Sequence, residues 1–207
     1  MLGPTSERAV RGQILSLALV AGVVGQVSAG DLYTSAAAGD LNTLEQLLAQ
    51  GGAVDATNRN GETPLMAAAL ADRPIVAEAL IGHGADLQAR NAGGFTPLHA
   101  AAYAGSVPIA ALLLDNGAAL EDSSNEAGAT PLMVAAEQGQ VAVLELLIAR
   151  GASVSAPETH GYMPLTRAFW KGHVDVVRLL KRHGATCQTA DVLGGEEYVK
   201  ECAAIDG

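Results

Sequence analysis

Aromatic side chains are scarce in this 207-residue sequence, which has four tyrosines, two phenylalanines and one tryptophan. Charged residues are also few, at 16% of the total, whereas about 25% is usual for a globular protein. Hydrophobic residues nevertheless make up 49%. The composition therefore predicts a core of small, tightly layered aliphatic side chains, and it argues against a large aromatic-lined cavity.

Positive charge is in short supply as well. The chain has 12 Lys and Arg against 22 Asp and Glu, a formal net charge of -10. Binding to a nucleic-acid backbone needs clustered Lys and Arg, and docking on an anionic membrane has the same requirement. We therefore expect neither a nucleic acid nor a membrane surface as a partner. The negative charge also keeps the protein soluble.

The sequence has no apolar run long enough to span a bilayer. The uncharged run Ile14–Gly25 has about 12 residues, whereas a transmembrane helix needs about 20. It follows two arginines and precedes the small residues Val27-Ser28-Ala29, which is the order of a secretory signal peptide. We predict a signal peptide over residues 1–29, cleaved after Ala29, and a periplasmic or secreted product without membrane attachment. An uncleaved signal that anchors the chain in the membrane and a cytoplasmic N-terminal helix are the alternatives.

A short motif recurs along the rest of the chain. Thr-Pro-Leu begins at Thr63, Thr96 and Thr130, and Met-Pro-Leu begins at Met163, with offsets of 33, 34 and 33 residues. Counting back 33 residues from Thr63 reaches Gly30, where the predicted mature chain begins. Such a fixed period is the signature of a stacked-repeat fold. Glycines recur in phase with the motif, at Gly51, Gly84, Gly117, Gly151 and Gly184.

Each repeat carries the signals of two helices. Threonine is a good N-cap and proline is tolerated at the first helical position, so Thr-Pro starts a helix. Glycines such as Gly105 can adopt the left-handed conformation that ends it. A second helix follows, with apolar residues at helical spacing, for example Val141, Leu144 and Leu147. A polar, turn-prone segment of about ten residues then forms an extended finger.

These residues resemble the ankyrin repeat. Ala100-Ala101-Ala102 and Gly105 after Thr-Pro-Leu-His, followed by Leu112–Ala118, match its pattern, and the resemblance covers about residues 30–188. It implies an all-α solenoid of about five helix-turn-helix repeats, with β-hairpin-like fingers and a C-terminal capping helix. It also implies a non-catalytic protein–protein interaction module, which we expect to be a monomer. The predicted domain is residues 30–207, with repeats over 30–60, 61–93, 94–127, 128–160 and 161–188 and a cap over 189–207.

Three repeats depart from the pattern. The first has Gly30-Asp31-Leu32 in place of Thr-Pro-Leu, as suits a terminal repeat with a polar outer face. The second has Asp72 where the glycine that ends the first helix is expected, and the fifth has Met163 in place of the capping threonine. We expect local weakening of about 1 kcal/mol where a cap is lost.

No residue pattern indicates catalysis or a cofactor. No two of the five histidines have metal-ligand spacing on one helix face, such as i, i+4. His99 belongs to Thr-Pro-Leu-His, and the ankyrin family uses this histidine to hydrogen-bond between repeats. No side chain lies in a nucleophile elbow, and the glycines lie at helix ends rather than in a phosphate loop. We expect no enzymatic activity, no cofactor and no metal.

Only two cysteines occur, Cys187 and Cys202. In an exported protein a disulfide between them is expected, since such compartments are oxidising. It would attach a closing helix to the fifth repeat, and closing a loop of 15 residues is worth about 3 kcal/mol in the chain-entropy model. Two buried or free thiols are the alternative.

The resemblance places partner binding on the finger tips and the exposed ends of the first helices, on the concave side of the stack. Four of the seven aromatics fall on these positions, and Trp and Tyr are enriched among interface hot spots. We predict a patch centred on repeats three to five; scattered surface aromatics or packing between fingers is the alternative. The predicted residues are Arg59, Glu62, Phe95, Tyr103, Glu137, Gln138, Tyr162, Trp170 and Lys171.

Two functions remain open from the sequence. The first is a binding module for another protein outside the cytoplasm, acting through the concave face. The second is an extracytoplasmic accessory or stabilising subunit of a redox or stress-response enzyme. Fold alone does not choose between them.

Overall fold

A computed structural model of the protein describes residues 28–206. The predicted signal peptide, apart from Ser28 and Ala29, lies outside the described residues. Over this range the chain forms twelve α-helices and no β-strand, so the all-α prediction is confirmed. The helices are α1 Ala29–Ala38, α2 Leu41–Ala49, α3 Pro64–Leu70, α4 Pro74–Gly82, α5 Pro97–Ala104, α6 Val107–Asp115, α7 Pro131–Gln138, α8 Val141–Ala149, α9 Pro164–Trp170, α10 Val174–Arg182, α11 Ala190–Leu193 and α12 Glu196–Ala204.

The first helices of repeats two, three and four begin at Thr-Pro, as the sequence predicts. The hydroxyl oxygens of Thr63 and Thr130 accept the backbone N–H of Met66 and Met133, each at 3.3 Å. In each of these helices proline occupies the first turn, where its missing N–H has no helical partner to lose. The threonine cap and the proline of the first turn thus start the first helix in each of these repeats.

The helix pairs stack in two layers. α1, α3, α5, α7 and α9 pack in succession, and the second helices α2, α4, α6, α8 and α10 form the neighbouring layer. The leucine of each motif is fully buried between the layers, at Leu65, Leu98, Leu132 and Leu165. Alanines fill the remaining space between adjacent first helices, which allows their backbones to approach closely. Each repeat buries its apolar faces against its neighbours only, as in other solenoids.

The fingers are the four segments between α2 and α3, α4 and α5, α6 and α7, and α8 and α9. The first folds back through a bond from the N–H of Asn58 to the carbonyl of Glu62, 3.0 Å long, and the second and fourth have equivalent bonds. This return is hairpin-like although the fingers consist of turns. At the tip of the second finger Gly94 has φ +81°. A Cβ at this position would lie 2.7 Å from the Cα of Asn125, so glycine is required.

Neighbouring fingers are joined through their backbones. The N–H of Ala92 donates to the carbonyl of Asn60 at 2.8 Å, linking the first and second fingers. Bonds of the same kind link the second to the third and the third to the fourth, at 3.3 and 3.0 Å. Arg90 and Asp122 form an ion pair between the second and third fingers. The hydrogen bond from the Arg90 guanidinium to the Asp122 carboxylate holds the pKa of Asp122 below its usual range.

α11 and α12 cover the end of the fifth repeat. A disulfide joins Cys187 to Cys202, with Cα atoms 6.2 Å apart. The ammonium of Lys181, on α10, donates to the carbonyls of Cys202 and Ile205 at 2.6 Å each. This cation lies at the C-terminal end of α12, where the helix dipole favours positive charge, and it joins that end to α10.

Within residues 28–206, none of the helices is both long and apolar enough to cross a bilayer. The same range contains no cluster of His, Cys, Asp or Glu able to hold a metal ion.

Candidate partner-binding surface

A row of exposed side chains runs along the ends of the first helices. The residue seven positions after each helix cap is Leu70, Tyr103, Glu137 and Trp170 in successive repeats. Leu70, Tyr103 and Trp170 are 39%, 54% and 42% exposed. Because packed helices lie about 8–10 Å apart, these side chains stand side by side along the stack. We call this row of four residues the first-helix ridge.

A cleft of about 380 Å³ lies beside the ridge, between repeats three and four. Phe95 and Tyr103 line it from the third repeat, and Glu137 and Gln138 line it from the fourth. The structure therefore brings four of the predicted site residues together. We call this the repeat 3–4 cleft; its largely apolar walls with a few polar groups at the edge are typical of a binding site.

His99 forms the floor of the repeat 3–4 cleft. Its Nδ1 accepts the backbone N–H of Thr96 at 3.1 Å, so the proton lies on Nε2, which donates to the carbonyl of Ala129 at 2.9 Å. The predicted hydrogen bond between repeats is thus confirmed. Burial lowers the pKa of His99, against the opposing effect of the bond to Ala129. The ring also contacts Phe95 edge-on, with centroids 5.4 Å apart, and so fixes one wall of the cleft.

An ion-pair network extends from Glu137 toward the fifth repeat. The Glu137 carboxylate lies 3.4 Å from the ammonium of Lys171 and 3.8 Å from the guanidinium of Arg167. Arg167 also lies 3.5 Å from Glu158, which in turn contacts His160 at 3.0 Å. Burial raises the pKa of Glu158, but hydrogen bonds from His160 and Tyr162 and the charge of Arg167 outweigh it, so the pKa is lowered overall. The network fixes the cationic residues of this face against carboxylates.

A second cleft, of about 630 Å³, lies between α9 and the closing helices. Tyr162, Phe169 and Trp170 line one wall, and Tyr198 lines the other with Leu193 and Glu201. We call it the C-terminal cleft. The aromatic side chains of this cleft lie outside the buried core, which consists mainly of small aliphatic side chains as the composition predicts. Four of the seven aromatics gather here because they collect in the last repeat and the closing helix, which an average over the chain conceals.

Three predicted residues line neither cleft: Lys171, which belongs to the ion-pair network, and Arg59 and Glu62 on the first finger. Glu62, on the first finger, accepts from the Asn58 amide at 2.7 Å, and it also raises the pKa of Tyr33, for which burial is the larger cause. Arg59 is exposed on the same finger. Neither residue lines the repeat 3–4 cleft or the C-terminal cleft.

Sequence reasoning missed several residues of this surface. Arg167 holds two carboxylates from inside α9, and its position four residues before Lys171 puts both cations on one helix face. That spacing was a readable signal. No sequence signal marks Glu158, because its burial depends on how the fourth finger folds back on itself. Tyr198 and Glu201 also carried no such signal, because the disulfide and the closing helices bring them to the surface of repeat five.

The structure is a solenoid. Its helix pairs stack in register, fingers connect them, and exposed side chains line one edge of the stack. Residues 32–124 and 119–191 match the family model of ankyrin repeats in three copies, and the chain belongs to the ankyrin-repeat family. Ankyrin repeats are generally non-catalytic and mediate protein–protein interactions. A comparison with curated proteins found no match.

Proposed function

We propose that this protein is a monomeric, extracytoplasmic binding module that holds another protein against the first-helix ridge and the repeat 3–4 cleft. The observation that carries the proposal is the row of Leu70, Tyr103 and Trp170, three large apolar side chains exposed at the same repeat position. The fold does not need them there, since alanine occupies the equivalent position in the first repeat, at Ala37. Aligned exposed apolar groups mark an interaction surface.

The location outside the cytoplasm is supported by the chain's N-terminal sequence and by its cysteines. Arginines, a short apolar run and small residues precede Gly30 in the order of a signal peptide. Both cysteines join in one disulfide, which persists in oxidising compartments. N-terminal sequencing of the protein from its native host should give Gly30 as the first residue; a mature protein that retains Met1 would contradict the cleavage.

The experiment that tests binding has two steps. A photo-crosslinking amino acid is placed at Gln138, beside the ridge, and the captured protein is identified by mass spectrometry. Its affinity is then measured for the pair Tyr103→Ala and Trp170→Ala, which should cost about 2 kcal/mol or more, roughly 30-fold. Ile75→Ala is the matched control, because Ile75 is 67% exposed but lies on the second helix α4. Equal affinity of the ridge variant and the wild type would refute the proposal.

The number and kind of captured proteins separate the two candidate functions. A single enzyme, captured in stoichiometric amount, would favour an accessory or stabilising subunit. Several dissimilar proteins would favour a general binding module.

A further inference from the structure

The C-terminal cleft combines aromatic rings with an unpaired carboxylate. Tyr162 and Trp170 meet edge-on with centroids 4.7 Å apart, and Phe169 and Tyr198 do so at 6.5 Å. In an edge-to-face pair the ring that offers its edge keeps both faces uncovered by its partner. Such faces carry negative quadrupole charge and attract cations. Trp170 and Tyr198 are 42% and 48% exposed, so a ligand can reach them.

Glu201 supplies the charge of the cleft. It lines the cleft from α12 and is exposed, and it takes part in none of the ion pairs within residues 28–206. The two closing helices are acidic overall, with Asp191, Glu196, Glu197 and Glu201 against Lys200. This wall therefore favours a positive group.

The opposite wall does not cancel this preference. Among residues 28–206 no cation lines it, and the two nearest in sequence, Arg167 and Lys171, pair with Glu137 and Glu158 outside the cleft. The guanidinium of Arg167 also lies over the ring of Tyr162, 5.6 Å from its centroid. This corner of the molecule already holds one guanidinium on an aromatic face, while Trp170, Tyr198 and Glu201 remain unoccupied by any described cation.

We propose that the C-terminal cleft binds the guanidinium of an arginine presented by the partner protein. The planar group would stack on the rings of Trp170 and Tyr198 and pair with the carboxylate of Glu201. Arginine suits both contacts, because its flat fork stacks on aromatics and bonds carboxylates in a bidentate manner. The inference rests on the proposed function and adds to it the chemistry of one contact, at a place separate from the repeat 3–4 cleft.

Trp170 is the only tryptophan of the chain, so its fluorescence and its indole N–H signal in NMR report on the cleft directly. The probe is N-acetyl-arginine amide, titrated into the full chain. Its uncharged isostere, N-acetyl-citrulline amide, is the control ligand. We expect the arginine amide to give a saturable change with a dissociation constant of roughly millimolar order. The citrulline amide should bind several-fold more weakly, and added salt should weaken only the arginine amide.

Glu201→Gln and Tyr198→Leu should each weaken binding of the arginine amide about 2–5-fold. Glu196→Gln is the matched control, because Glu196 lies exposed on the same helix but does not line the cleft. Circular dichroism verifies that each variant is folded. Equal binding of the two amides, or equal effects of Glu201→Gln and Glu196→Gln, would overturn the inference.

The two proposals fail separately. A partner that depends on Tyr103, together with an arginine amide that does not bind, would remove the arginine site and leave the binding module. Binding of the arginine amide, together with a partner indifferent to Tyr103→Ala, would contradict the contact at the repeat 3–4 cleft and leave the arginine site.

Discussion

The carboxylate of Asp72 accepts a hydrogen bond from the hydroxyl of Ser106, which lies one repeat further along the chain. The backbone of Asp72 has φ 51°, and it is the one non-glycine residue in the left-handed region among residues 28–206. Equivalent positions in the four other repeats hold Gly39, Gly105, Gly139 and Gly172. Asp72 thus lacks the conformational freedom of glycine but gains a side-chain hydrogen bond to Ser106, the N-cap of α6. This bond links repeat two to repeat three.

Substitutions at Asp72 should separate the strain from the bond. Asp72→Ala removes the hydrogen bond and keeps a side chain in the left-handed region, so it should destabilise the protein by about 1–2 kcal/mol. Asp72→Gly also loses the bond but relieves the strain, and it should be about 1 kcal/mol more stable than Asp72→Ala. Urea unfolding followed by circular dichroism measures both. Equal stability of the two variants would show that the backbone is unstrained.

The neutral form of His99 is the one the fold requires. Burial lowers its pKa in the folded state below the unfolded value of about 6.5. The unfolded chain therefore binds more protons just below that pH, and this contribution to stability, fully present above about pH 6.5, is lost as the pH falls toward the folded pKa. We expect the unfolding free energy of the wild type to fall more steeply between about pH 7 and pH 5 than that of His99→Gln. Equal slopes for the wild type and His99→Gln would contradict this expectation.

The disulfide attaches the closing helices to the fifth repeat. Replacing both Cys187 and Cys202 with serine should cost about 3 kcal/mol, since the loop of 15 residues gains freedom in the unfolded chain. The unfolding free energy of the wild type should drop by a similar amount in reductant, and that of the serine variant should not. Alkylation followed by mass measurement should find no reactive thiol without reductant and two with it. Two alkylated thiols without reductant would contradict the bond.

Gln188 bonds the start of α9, where Met163 stands in place of the capping threonine. Its Oε1 accepts the backbone N–H of Met163 at 3.0 Å and the hydroxyl of Thr166, and its amide donates to the carbonyl of Gly161 at 2.9 Å. Thr166 is fully buried, so Gln188→Ala would leave its hydroxyl without this partner.

Gln188→Ala should therefore destabilise the protein by about 1–3 kcal/mol. Gln46→Ala, at an exposed position on α2, should change stability by less than about 0.5 kcal/mol. Thermal or urea unfolding compares the two. A cost for Gln188→Ala as small as that for Gln46→Ala would show that the fifth repeat does not depend on this residue.

Most of the fold was predictable because its signals are local and repeated. Thr63 and Thr130 cap helices through backbone N–H groups three residues away, and the motif leucines recur at a fixed period. The helix assignment in one repeat therefore supports the same assignment in the next. The role of Gln188 was not predictable, because it acts on Met163 across 25 residues of chain and has no counterpart in other repeats. The absence of a capping side chain at Met163 is readable from the motif, but Gln188 lies in a segment without periodicity.

The candidate surface was predictable in part for the same reason. Position within the repeat puts Tyr103 and Trp170 on the ridge, and periodicity reveals this. The C-terminal cleft depends on where α12 docks, and that is decided by the disulfide and by Lys181 rather than by any repeating pattern. The low aromatic content does not predict this cleft, because composition carries no information on where the aromatic residues cluster.

The main-chain bonds between fingers have a consequence for how recognition can change. The links from Ala92 to Asn60 and onward along the stack use only peptide groups, so no tip side chain is needed to maintain them. An exposed tip residue such as Arg59 can therefore be exchanged while the spacing between tips stays constant. If the proposed partner contacts the tips, the backbone bonds would set the distance between contacts and the exposed side chains would set their chemistry. Successive substitutions can retune specificity one tip at a time, because each new surface inherits the same spacing.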